Sequence, residues 1–152
     1  MWILSLLKPD RAPQPAPTQA RSSQPPEAPS AMLFFELFSH APDVLRVPAG
    51  QPLFAEGDNG REMYVLILGR ADVTVGQRLV EVLLPGNVVG EMSLVAPGPR
   101  ATTVNASVDC EFIAVDARRF SALVRQAPDF ALLVMRALAD RLRRADGGVK
   151  LR

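Results

Sequence analysis

The strongest constraint on this chain is the rhythm of its middle. From Val44 to Val115 the runs VLRV, PLFAE, MYVLIL, ADVTV, LVEVLL, TTVNASV and CEFIAV follow one another, each parted from the next by Pro, Gly, Asp or Asn. β-Branched and aromatic residues favour the runs, and turn residues fill the gaps. Many short strands with regular punctuation predict a sandwich or small jelly roll rather than an α/β sheet. At Ala117 the period becomes helical, and ARRFSALVRQ predicts a short helix. Pro128 opens a longer one, PDFALLVMRALADRLRRAD, which Gly147-Gly148 should close. Phe130, Val134, Leu138 and Leu142, with Leu133 and Ala137 alongside, predict a single apolar stripe on that helix. MLFFELFSH predicts one or two helical turns that turn Leu33, Phe34, Leu37 and Phe38 towards a core. The expected class is mainly β with flanking helices.

The chain divides near residue 30. Half of its 14 prolines lie between Pro9 and Pro29, among Gln, Ala, Ser and Thr, with no large apolar side chains to offset the entropy of ordering. Residues 1–30 are therefore expected to be a disordered Pro-rich segment, and residues 31–152 to carry the fold. The apolar tip MWILSLL lacks the basic start and longer apolar centre of a secretory signal. A frayed terminus accounts for it, and membrane contact by residues 1–7 is not expected. With 17 basic and 16 acidic side chains the net charge is +1, which argues against a chain built mainly to hold nucleic acid or anionic lipid. The lone Cys110 excludes an internal disulfide framework and supplies no zinc set. No apolar run approaches the roughly 20 residues needed to cross a bilayer. A reduced, cytoplasmic location is expected.

One segment carries chemistry: PGNVVGEMSLVAPGPRATTVNA, residues 85–106. It combines a glycine, a short helix-competent stretch, a Pro/Gly loop and an arginine at the start of a strand. Unpaired backbone N–H groups at a helix start suit an anion, and Ser93 and Leu94 are candidates to supply them. Gly90 lets the backbone approach a ligand closely. Arg100 adds a full charge and a forked donor set suited to phosphate oxygens. Glu91 is out of place beside an anion unless the ligand also presents hydroxyl donors, because a carboxylate only accepts. An anion next to a sugar hydroxyl describes a nucleotide.

GEMSL followed by a Pro/Gly loop and PRATTV resembles the phosphate-binding cassette of cyclic nucleotide-binding domains, the family of the catabolite activator protein and the cAMP-dependent kinase regulatory subunits. Upstream, PLFAEGDNGREMYVLILGRADVTV resembles that family's first hairpins, including the E-G-D turn. The resemblance spans roughly residues 44–145 and implies the family's double-stranded β-helix, or jelly-roll, fold. It implies that Glu91 holds the ribose 2′-hydroxyl and that Arg100 pairs with the cyclic phosphate. Gly90, Met92 and Ser93 then supply the turn whose backbone contacts sugar and phosphate, and Ala101 and Thr102 close the pocket. Many cGMP-selective members have Thr directly after the arginine; Ala101 stands there in this chain, which leans the implied ligand towards cAMP, with cGMP as the alternative. Thr102, where the family commonly has Ala, leaves the choice open.

The function implied is a stand-alone cyclic nucleotide sensor that changes conformation on binding and signals to a partner protein. The alternatives are a relative of the transcription regulators without its own helix-turn-helix, and a ligand-free scaffold. The chain stops at Arg152, too soon after the last helix for a recognition helix, so no DNA-binding domain is expected. The terminal helix is expected to act as lid or dimer helix, making a homodimer and an unidentified effector the candidate partners. No enzyme is expected. His40 is the single histidine and has no evident catalytic set, and neither a metal nor a cofactor is called for.

Overall fold

The computed structural model describes residues 37–38, 41 and 43–147. The Pro-rich segment, the apolar tip, Leu33, Phe34, His40 and Gly148 lie outside the described residues. Among the described residues, Leu37 and Phe38 are helical, and ten strands and three further helices follow in order. The strands are β1 (Val44–Val47), β2 (Pro52–Phe54), β3 (Asn59–Gly60), β4 (Met63–Leu68), β5 (Ala71–Val75), β6 (Arg78–Leu83), β7 (Val88–Val89), β8 (Gly98–Pro99), β9 (Thr103–Ala106) and β10 (Cys110–Val115). The helices are α1 (Glu91–Val95), α2 (Ala117–Gln126) and α3 (Asp129–Asp146). All strand pairs are antiparallel, in two four-stranded sheets ordered β1-β10-β4-β7 and β2-β9-β5-β6, with β3 and β8 as a separate ladder.

The residue pattern explains why the sheets differ. In β4 and β10 neighbouring residues are buried in turn on opposite faces. Leu66 and Phe112 pack between the sheets against Phe54, Val73, Leu83 and Val104. Met63, Val65, Ile113 and Val115 instead face Phe38, Leu123, Phe130 and Val134 under the helices. A strand buried on both sides reads as the near-continuous apolar runs MYVLIL and CEFIAV. β5 alternates: Ala71 and Val73 are buried, while Asp72, Thr74 and Val75 are not. The result is the predicted mainly β roll, with helices covering one sheet.

Asp116 caps α2 by accepting the Arg119 backbone N–H at 2.7 Å. α3 buries Phe130 and Val134 fully and Leu133, Ala137 and Leu138 in part. Leu142 breaks the expected stripe, being 62% exposed. Steps of four residues gain about 40° on each helical repeat, so the face drifts away from the barrel along the helix. Arg141 takes the barrel-facing position instead. Among the described residues no helix is long and apolar enough to cross a membrane.

Candidate functional site

The E-G-D turn and the arginine strand are one backbone unit. Arg100 N–H donates to the Asp58 carbonyl at 2.7 Å, and Gly57 N–H donates to the Arg100 carbonyl at 2.9 Å. Glu56 N–H donates to Thr103 Oγ1 at 2.9 Å, and the β3–β8 ladder pairs Gly60 with Gly98. The turn therefore fixes where Arg100 leaves the chain, which is the physical content of the two motifs standing in register. The Pro/Gly loop expected at residues 97–99 includes a short strand. It was unreadable because Gly and Pro carry no strand signature.

Arg100 is 7% exposed. Its hydrogen bonds to the described residues all leave from Nη1, to the Glu62 carbonyl at 2.8 Å and the Gly90 carbonyl at 3.3 Å. Cζ lies 4.3 Å from the centre of the Phe54 ring, a cation–π contact, with Tyr64 at 5.6 Å behind. Tyr64 donates to Glu62 at 3.4 Å; its burial, and the Glu62 charge, raise its pKa above the ordinary phenol value. Two glycines make room. Gly90 has φ 78°, and a Cβ there would sit 2.7 Å from Arg100 Nη1. A Cβ on Gly60 would overlap Arg100 Nε and Cζ.

Glu91 begins α1 and is 1% exposed. Its partner comes from the far end of the chain: Arg141 Nη1, on α3, donates to Glu91 Oε1. The same guanidinium donates from Nε to Glu81 Oε2 at 2.9 Å and from Nη2 to the Val88 carbonyl at 2.7 Å. Burial works against the charge on Arg141, but the Glu91 and Glu81 carboxylates outweigh it and raise its pKa above the usual arginine value. Arg144 adds a contact to Glu81 Oε1 at 3.4 Å. Glu91 Oε2 has no hydrogen-bond partner among the described residues.

Phe54, Glu81, Gly90, Glu91, Arg100 and Arg141 line one cavity of about 520 Å³. All seven residues singled out in the sequence, Gly90, Glu91, Met92, Ser93, Arg100, Ala101 and Thr102, line it. They are not equivalent. Glu91, Ser93 and Arg100 are buried, whereas Met92 is 59% exposed. The Ser93 backbone N–H, expected as a free donor, is spent on the Gly90 carbonyl at 3.1 Å. Sequence reasoning missed Phe54, Gly60, Glu81 and Arg141. For Arg141 there was a signal: a cation four residues beyond Ala137 and seven beyond Val134, where the inward face of the helix continues.

The cavity thus offers a buried cation and a buried carboxylate with one bare oxygen, between a β-roll and a helix. Against that geometry, the family model for the cyclic nucleotide-binding domain matches residues 44–127. The cyclic AMP receptor protein of Thermus thermophilus is 36% identical over 104 residues, covering 65% of this chain and 48% of its own. The CRP-like cAMP-activated global transcriptional regulator of Mycobacterium tuberculosis is 28% identical over 109 residues, covering 67% and 48%. The chain spans about half the length of these curated relatives. The crystal structure of the Thermus thermophilus catabolite activator protein superposes with a TM-score of 0.61 at 32% identity, covering 75% of this chain and 59% of that one. The fold, the cavity between roll and helix and the matched residues agree: this chain belongs to the cyclic nucleotide-binding domain family.

Proposed function

We propose that the chain binds a purine 3′,5′-cyclic monophosphate, cAMP foremost, and passes the bound state to a partner protein. In this reading Arg100 grips the cyclic phosphate and Glu91 accepts the ribose 2′-hydroxyl. Gly90, Met92 and Ser93 lie along sugar and phosphate, and Ala101 and Thr102 close the wall behind them. The observation that carries the reading is a buried guanidinium and a buried carboxylate on the same 520 Å³ cavity. A ring-closed nucleotide satisfies both, because it presents an anion on one side and a hydroxyl donor on the other. The lean towards cAMP rests on Ala101, which has no hydroxyl to offer a guanine amino group. The relatives named as cAMP-responsive support the same choice.

Binding acts on α3 because α3 supplies Arg141, Arg144 and Ala145 to the cavity wall. A ligand shifts that helix only as far as it binds its two arrangements unequally. The reading therefore makes the domain a sensor whose output leaves through the helix, towards an effector or a second copy. Calorimetric titration with cAMP and cGMP tests it. Saturable binding of cAMP, tighter than cGMP, is expected. Arg100→Ala removes charge-assisted bonds worth roughly 1.5–3 kcal/mol and should weaken cAMP at least about tenfold. Equal affinity of the two proteins would reject the assignment.

A further inference from the structure

We infer that Arg100 serves two cavities, and that the second takes a small oxyanion still carrying a proton, inorganic phosphate above all, which competes with the nucleotide for this one guanidinium. The second cavity stands on its own geometry; only the competition rests on the nucleotide reading above.

Besides the nucleotide cavity there is another of about 550 Å³, lined by both strands of the β3–β8 ladder. Arg100 lines both cavities, and its neighbours divide between them. Phe54 and Gly90 belong to the first, Gly60 and Tyr64 to the second. The guanidinium is divided in the same way. Nη1 lies beside Gly90 and donates to the Glu62 and Gly90 carbonyls. Nε and Nη2 lie against Gly60, a wall of the second cavity, and have no hydrogen-bond partner among the described residues. Arg100 is only 7% exposed, so one edge of its fork is desolvated and unmatched. Such an edge carries a cost that a ligand can relieve.

The other walls decide what that edge meets. Arg61 adds a second, exposed cation, which favours an anion. Glu62 lines the same cavity, and its Oε2 accepts the Tyr64 phenol at 3.4 Å. A carboxylate only accepts, so it repels a fully ionised anion and tolerates one that brings its own proton. Inorganic phosphate retains a proton near neutral pH, whereas sulfate and simple carboxylates have none to give. Phosphate can therefore meet Nε and Nη2 with its bare oxygens and donate its P–OH to Glu62. Bound there, it takes the donors and neutralises the charge that the cyclic phosphate needs. Coupling of this kind is reciprocal, so each ligand weakens the other by the same factor.

The full chain, Arg61→Ala and Glu62→Gln are titrated calorimetrically with inorganic phosphate alone, and with cAMP in chloride, phosphate or sulfate at one ionic strength. If phosphate binds with a Kd on the order of 1 mM, roughly 10 mM of it raises the apparent Kd of cAMP about tenfold. Sulfate at the same concentration should change it by less than about twofold. Arg61 does not line the nucleotide cavity, so Arg61→Ala should bind cAMP in chloride within about twofold of the unsubstituted chain and lose most of the phosphate effect. Glu62→Gln keeps its backbone carbonyl on Arg100 and removes the carboxylate, so sulfate should then compete as well as phosphate. Each variant remains informative if the other fails to fold. Phosphate that leaves cAMP affinity unchanged, or weakens it equally in Arg61→Ala, overturns the inference while the nucleotide reading stands. Sulfate competing as well as phosphate in the unsubstituted chain overturns it too. A chain that binds phosphate through Arg61 but no cAMP overturns the nucleotide reading and the competition and keeps the second cavity, and one that binds neither overturns both.

Discussion

Arg100 depends on its surroundings more than on its own stem. Two carbonyls hold Nη1, the Phe54 ring lies 4.3 Å from Cζ, and the absence of a side chain at Gly60 leaves the slot that the guanidinium fills. Stacking on an aromatic face contributes about 0.5–2 kcal/mol and fixes the plane of the fork. Gly60→Ala therefore displaces the tip of a flexible side chain rather than backbone, and the fold should survive it. The expected outcome is a melting temperature close to that of the unsubstituted chain with cAMP affinity reduced about tenfold. Gly90→Ala is different, because its φ of 78° also strains the backbone and Glu62 O lies 3.1 Å from the new Cβ. It should lose stability as well as affinity. Parallel thermal melts and titrations of the two variants distinguish them, and a Gly60→Ala protein that binds cAMP normally would show that Arg100 does not work from this slot.

At the scale of elements, what the sequence made legible was what side-chain pattern controls. The long runs of β4, β6 and β10 and the helices α2 and α3 were readable because their apolar residues must face a core. The Asp116 cap was equally local, and Asp116→Ala should cost about 1 kcal/mol in urea unfolding by freeing the Arg119 N–H, with ligand affinity unchanged. The two-residue strands β3, β7 and β8 escaped, since their pairing rests on the backbone of Asn59–Gly60, Val88–Val89 and Gly98–Pro99. For the site, Gly90, Glu91 and Arg100 were legible because they lie within eleven residues of one another in a recognisable cassette. Arg141 sits 50 residues from Glu91, on another element, so only the fold could bring them together. The misplaced Leu142 and the missed Arg141 are one error: a four-residue stripe was extended past the point where the helix had turned away.

For the whole molecule, the unequal treatment of the sheets decides where a partner could act. The β1-β10-β4-β7 sheet is covered by helices, and α3 turns its inner face to that cover and to the cavity. Its outer face exposes Leu132, Met135 and Leu142, at 48%, 54% and 62%, spaced by three and then seven residues. That spacing is the one a paired helix uses at its seam, and it lies on the same element that holds Glu91 through Arg141. A second copy covering the seam would bring two cavities under one pair of helices and make their states interdependent. Stable protein interfaces bury roughly 1,200–2,000 Å², more than three side chains on an 18-residue helix supply, so the association expected is weak. Sedimentation velocity over a concentration series should show a monomer–dimer equilibrium that Met135→Glu shifts wholly to monomer, because a carboxylate in the seam would be desolvated without a partner. Met135 does not line the cavity, so the variant should bind cAMP within about twofold of the unsubstituted chain, a change of under about 0.5 kcal/mol. A chain that stays monomeric at every concentration, with and without cAMP, would rule out a second copy as the partner of α3 in the function proposed above.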